Sequence, residues 1–208
     1  MTVRKEYAVT ITARERAELL AVEPDAKPLA PDEVAGRTLA TLVSPGTELA
    51  TGFQGERFPS HPGYASAFQV ERLGNDVKDI AVGGAVFCMG SHRSFQRVDR
   101  KGVVPIPKGL APSAAVFVRW MGVSMSTQAT TKARPPETIL VTGLGLVGNL
   151  AAQIFAATVF TATTKARCAG WPRDACESRN SVWRSRRARL SKPIRIFCTI
   201  VVTDSRCC

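Results

Sequence analysis

Gly143, Gly145 and Gly148 stand in the spacing G-x-G-x-x-G inside residues 137–157, ETILVTGLGLVGNLAAQIFAA. The chemistry this spacing permits is anion binding by the main chain. Gly143 can take the backbone angles of a tight exit from an apolar strand, and Gly145 places no side chain between a phosphate and the backbone amides. Those amides, at the positive end of a helix dipole, favour an anion by roughly 0.3–1 kcal/mol at an exposed site. Gly148 lets the helix lie close to the strand, and Ala151, Ala152, Ala156 and Ala157 keep it slim. The cradle is therefore Gly143, Leu144, Gly145, Leu146, Val147 and Gly148, and its ligand a dinucleotide pyrophosphate. The competing reading is a glycine turn of any strand–helix unit.

Such a turn needs a sheet to position it. Residues 7–11, 38–43, 67–73, 85–89 and 102–106 are short segments rich in Val, Ile, Thr and Phe, separated by Pro-Gly, Gly-Asn and Gly-Gly punctuation. They predict a compact β domain. From Pro112 to Thr127 the period changes, and Ala114, Val116, Val118, Met121, Val123 and Met125 predict one buried helix, with a linker over 130–136.

The 208 residues are a soluble globular mixture, with 45% apolar and 22% charged residues. The N-terminus MTVRKEYAVTITARERAELL has no apolar signal core, and no run of about 18 apolar residues could span a bilayer, so a cytoplasmic protein without a membrane partner is expected. The net charge of +11 is unevenly spread: residues 1–158 hold 17 Lys and Arg against 14 Asp and Glu, whereas 159–208 hold 11 against 3. Cysteine divides likewise, with Cys88 alone in the first part and Cys168, Cys176, Cys198, Cys207 and Cys208 in the last.

Ser44-Pro-Gly-Thr-Glu-Leu49, residues 62–74 (PGYASAFQVERLG), Val82-Gly-Gly-Ala-Val-Phe87, Val104-Pro-Ile-Pro-Lys-Gly-Leu110 and the glycine motif follow one another in a set order. In that order they resemble the medium-chain dehydrogenase/reductase superfamily, the alcohol-dehydrogenase and quinone-reductase relatives, over residues 30–157. The resemblance implies an α/β fold: a chaperonin-10-like catalytic β-barrel domain over 1–127, and a linker with the first strand–helix unit of a Rossmann domain over 128–157. It does not reach the basic, Cys-rich tail 158–208, so the Rossmann domain is expected to be incomplete. The implied cofactor is NAD or NADP, and the implied partner a small-molecule substrate.

Zinc-dependent relatives carry Cys-Gly-Thr-Asp where this chain has Pro45-Gly-Thr-Glu48, and Gly-His-Glu where it has Gly63-Tyr-Ala65. Proline, tyrosine and alanine cannot build a three-ligand zinc site, and Cys88 alone cannot build the relatives' structural one, so no metal is expected. For catalysis the resemblance places Thr47 where relatives carry a proton-relaying hydroxyl, with Tyr64 and His92 as further pocket groups. Each has a plainer reading: Thr47 as a turn hydroxyl bonded to its own backbone, Tyr64 as a core aromatic, and His92 as an exposed histidine of the loop Gly90-Ser-His-Arg-Ser94. His61 is read as shaping the loop before Pro62.

The tail departs from the pattern. Where the fold places an acidic ribose-binding residue after the second strand, this chain has Lys165, Arg167 and Cys168, with Asp174 and Glu177 beyond. The abrupt change near Thr158 reads as a lost reading frame. Arg184 to Arg189 is a charge run without interleaved aromatics, which argues against nucleic acid, and Ile196 to Val202 is an uncharged, β-branched aggregation segment. Loss of the remaining Rossmann strands predicts an open sheet edge and puts the relatives' dimer interface in doubt. Two functions follow: an NAD(P)-dependent, zinc-independent oxidoreductase of alcohols, carbonyls or enones, or its N-terminal part; alternatively, a catalytically silent fragment whose β domain serves as a binding module.

Overall fold

The structure is a computed structural model that describes residues 5–131, 138–158, 162–164 and 199–203. The chain divides into two compact units, 1–119 and 120–208. Both mix strands and helices, and the fold is α/β.

Seven strands build the first unit: β1 Glu6–Ala13, β2 Arg16–Val22, β3 Glu33–Leu42, β4 Ala65–Leu73, β5 Ala85–Cys88, β6 Phe95–Asp99 and β7 Val103–Pro105. β1 and β2 form a hairpin, and the other five form an antiparallel sheet in the order β6-β3-β4-β5-β7. Alternation sends Val34, Phe68, Val70, Val86, Cys88 and Val103 to one interior, which Val77 completes. Burying each of these larger side chains is worth about 1.5–3 kcal/mol, which makes this face the main stabilising element of the unit. β2 and β6 were not expected. β2 is mostly exposed, and its residues Arg16-Ala-Glu-Leu-Leu-Ala-Val22 lack an inward stripe. β6 is five residues beginning in the His92 loop, and its pairing with β3 supplies what its own pattern does not.

The single buried helix expected over 112–127 is corrected. α1 Pro45–Thr47 precedes a π-helical turn Glu48–Phe53, and the later helical segment is split into α2 Pro112–Ala115 and α3 Val118–Thr131. Val118, Met121, Val123 and Met125 are exposed, whereas Trp120 and Ser124 are buried. The apolar residues recur almost every second position, which scatters them around a helix of 3.6 residues per turn. Trp120 and Ser124, four apart, share the inward face.

In the second unit β8 Thr138–Thr142 leads through the glycine turn to α4 Leu146–Thr158. Ile139, Val141, Ala151 and Phe155 are fully buried together, with Ala152 against them. β9 Ala162–Thr164 pairs parallel with β8, and β10 Thr199–Thr203 pairs antiparallel with its other side. β8 is thus the central strand of the three, with β9 and β10 on its two sides. These two strands are all that the structure describes of the tail beyond Thr158. Lys165, Arg167, Cys168, Asp174, Glu177 and the run Arg184 to Arg189 lie outside the described residues.

Candidate functional site

Ser44 begins the site, because Pro45 at the first helical position fixes the backbone for a turn and Ser44 caps it in an extended conformation. Glu48 then reaches back: its Oε1 accepts the Ser44 N–H at 2.7 Å, while the Glu48 N–H donates to the Ser44 carbonyl at 2.8 Å. Its second oxygen, Oε2, lies 2.9 Å from His92 Nε2. The side chains of His92 and Glu48 are only 8% and 14% exposed, so the two form a largely desolvated carboxylate–imidazole pair.

The exposed His92 of the plainer sequence reading is therefore corrected. Its loop is clamped between β1 and a distant loop: the His92 N–H donates to the Pro62 carbonyl at 2.9 Å, and the His92 carbonyl accepts from Val9 at 2.8 Å. Buried Gln96 donates through Nε2 to Ser91 O at 2.9 Å and to Thr38 Oγ1 at 3.1 Å. Thr38 Oγ1 in turn donates to Arg93 O at 2.6 Å. Gly63 packs so tightly that a Cβ there would stand 2.1 Å from Ser91 Cα, and its φ of +153° suits no other residue.

Thr47 is exposed, and its Oγ1 accepts from Ser44 Oγ at 3.3 Å rather than bonding its own backbone. Tyr64 is half-buried, and Arg119 stacks over its ring with Cζ 5.0 Å from the centroid. His61 does more than shape a loop, since its Nδ1 lies 3.2 Å from Oγ1 of the buried Thr10. Thr47 and His92 are thus joined through Ser44 and Glu48, while Tyr64 approaches through the backbone of the 62–64 loop. Glu48, Gln96 and Arg119 were missed as site residues. Glu48 carried a signal, being the acid that ends the Pro45-Gly-Thr-Glu48 motif; Gln96 and Arg119 gave none.

Cys88 is fully buried, and desolvation pushes its thiol up to about 12 from 9.0. Such a thiol is inert as a nucleophile or metal ligand. Among the described residues no three His, Cys, Asp or Glu are gathered where a metal could be held.

The second unit holds the glycine turn. Gly143 takes φ +85°, the left-handed region that glycine alone enters freely, and turns the chain out of β8. The Gly145 carbonyl accepts from Asn149 N at 2.8 Å, the first bond of α4, so the amides of Gly145 to Gly148 have no intrahelical acceptor. Gly148 is buried, as close helix–strand packing requires, whereas Leu144 and Leu146 are exposed at 36% and 50%. Buried Ser124 donates to Val147 O at 3.1 Å and ties the turn to α3.

Solved structures share this fold. No family profile matches the sequence, and no curated protein matches it. An alcohol dehydrogenase from Thermus sp. ATN1 superposes with a TM-score of 0.66 at 17% identity, over 78% of this chain and 58% of that one. CurK enoyl reductase gives 0.61 at 20% identity, over 80% and 55%. CAD from Helicobacter pylori, complexed with NADP(H), gives 0.63 at 14% identity, over 78% and 58%. Over the part it shares with them, the chain has the fold of the medium-chain dehydrogenases and reductases. It spans 55% to 58% of the length of these structures.

Proposed function

We propose that the chain is an NAD(P)-dependent, zinc-independent oxidoreductase of alcohol, carbonyl or enone substrates, or the N-terminal part of one. Its β unit is the chaperonin-10-like catalytic domain and its second unit an incomplete Rossmann domain. The observation that carries the reading is the β8–Gly143–α4 turn, with four helix-start amides, a positive φ at Gly143 and a buried Gly148, in a chain of dehydrogenase fold. These residues fit a pyrophosphate: Gly145 to Gly148 supply amide donors, and no side chain of Gly143 or Gly145 stands in the way.

When bound, the nicotinamide supplies or removes the hydride. The chain's own residues handle the proton. Glu48 holds His92 with a proton on Nε2, which leaves Nδ1 as the basic atom. Nδ1 takes the hydroxyl proton when an alcohol is oxidised, and protonated Nδ1 returns it to oxygen when a carbonyl is reduced. Thr47 accepts from Ser44 and so keeps its own hydroxyl hydrogen for a substrate oxygen. Pro45, Tyr64 and Ala65 do not fit a zinc ion, and no step is routed through one.

Titration with NADH and NADPH, followed by nicotinamide fluorescence and thermal shift together, tests the reading. Saturable binding, lost in Gly145→Asp, is the expected outcome. A folded protein that binds neither would leave the alternative, a silent fragment whose β unit is a binding module. That second reading is favoured by β10, which lies antiparallel on β8 where a Rossmann sheet is parallel.

A further inference from the structure

Arg119 differs from the other arginines that anchor the first unit. Arg97 is held by Glu33 and Asp25, and Arg100 by Asp79. Among the described residues Arg119 has no carboxylate partner; its neighbour is the Tyr64 ring, 5.0 Å away. Its Nε is buried and meets no acceptor. Native structures seldom bury a donor atom without an acceptor, because that N–H loses water and no hydrogen bond replaces it.

The stacking shows what the group is held for. A guanidinium lying on an aromatic face is fixed by its plane, and its N–H edge stays free for a planar or tetrahedral oxyanion. Its location is specific as well. Tyr64 follows Gly63, which is packed on Ser91, and Pro62 accepts the His92 amide at 2.9 Å. The loop that carries Tyr64 is thus held against the loop that carries His92.

We propose that Arg119 anchors an anionic group of the substrate, a carboxylate or a phosphate, and that Tyr64 serves to orient it. This rests on the oxidoreductase reading above and narrows its substrate to an alcohol, carbonyl or enone bearing such an anion. A guanidinium can set two N–H donors side by side against either oxyanion, a geometry lysine cannot reproduce.

Calorimetric titration of the full chain with malonate and, separately, with inorganic phosphate at low ionic strength tests it. Saturable binding of at least one is expected, weakened tenfold or more in Arg119→Gln, partly kept in Arg119→Lys, and unchanged in Arg72→Gln, which removes the exposed arginine stacked on Phe95. The anion that binds identifies the group. Binding of neither by the wild type, or equal binding by Arg119→Gln, overturns the anchor. Should Arg119→Gln fail to fold by circular dichroism, Arg119→Lys carries the test, and undiminished binding there overturns the bidentate anchor. NADPH and NADH titrations of the same proteins separate the two proposals. Arg119-dependent anion binding without nicotinamide binding sinks the oxidoreductase reading and leaves an anion site. Nicotinamide binding without Arg119-dependent anion binding sinks the anchor alone.

Discussion

At Cys88 the chemistry is set by surroundings rather than by the residue. Below pH about 9 the folded and unfolded chains both keep the thiol proton, and stability does not depend on it. Between the ordinary 9.0 and about 12 the unfolded chain releases that proton while the folded chain retains it, so stability falls as pH rises. Urea midpoints at pH 8 and pH 10 should show this slope, and Cys88→Ala should flatten it. His92 and Glu48 give the second residue-scale prediction. Glu48→Gln keeps the shape but removes the charge that orients the imidazole, and turnover on any substrate found should fall about 10²–10⁴-fold, the usual worth of a positioned acid–base group. Unchanged turnover would remove His92 from the chemistry. His92 was legible as a candidate because it falls beside a recognised motif, yet its burial was not, since the clamps from Val9, Pro62 and Gln96 arrive from distant positions.

Elements with a strong local pattern were the readable ones. Strand cores at 7–11, 67–73 and 85–89 show through their Val, Ile, Thr and Phe residues, and the glycine turn shows through its spacing. β2 and β6 did not, because their strand character comes from partners: β2 from the hairpin register Ala13↔Arg16, β6 from Arg37↔Phe95. The break between α2 and α3 was hidden by an apolar run that fits no single face. Gly63 shows how one position sets a whole loop. Gly63→Ala would drive a Cβ into the Ser91 backbone at φ +153°, at a cost of roughly 1–3 kcal/mol of strain before any repacking. The expected result is a lower melting temperature, with His92 reporting an altered environment by NMR; an unperturbed Gly63→Ala protein would show the 62–64 loop to be adaptable.

On the scale of the molecule, the second unit is organised around β8. Its apolar strand is read easily from Thr138-Ile-Leu-Val-Thr142, but its neighbours are not, because β9 and β10 lie where the resemblance to relatives has ended. Residues 199–202 of the segment expected to aggregate are thus given a partner, while 196–198 lie outside the described residues. Val201→Pro would remove a ladder donor from β10 and uncover the edge of β8. Light scattering should then show association at concentrations where the wild type stays dispersed, and identical behaviour of the two would mean that β10 protects nothing.

The pairing of β8 with β10 also sets a timetable. Thr142 and Thr199 face each other across the ladder although they stand 57 positions apart in the chain. A ribosome working at ~5–20 residues per second needs on the order of 3–11 s to supply that stretch. The β unit, complete by then, can fold as it emerges. β8 must wait with one flank bare, and the nascent chain in those seconds is the natural client of a chaperone that shields a single apolar strand.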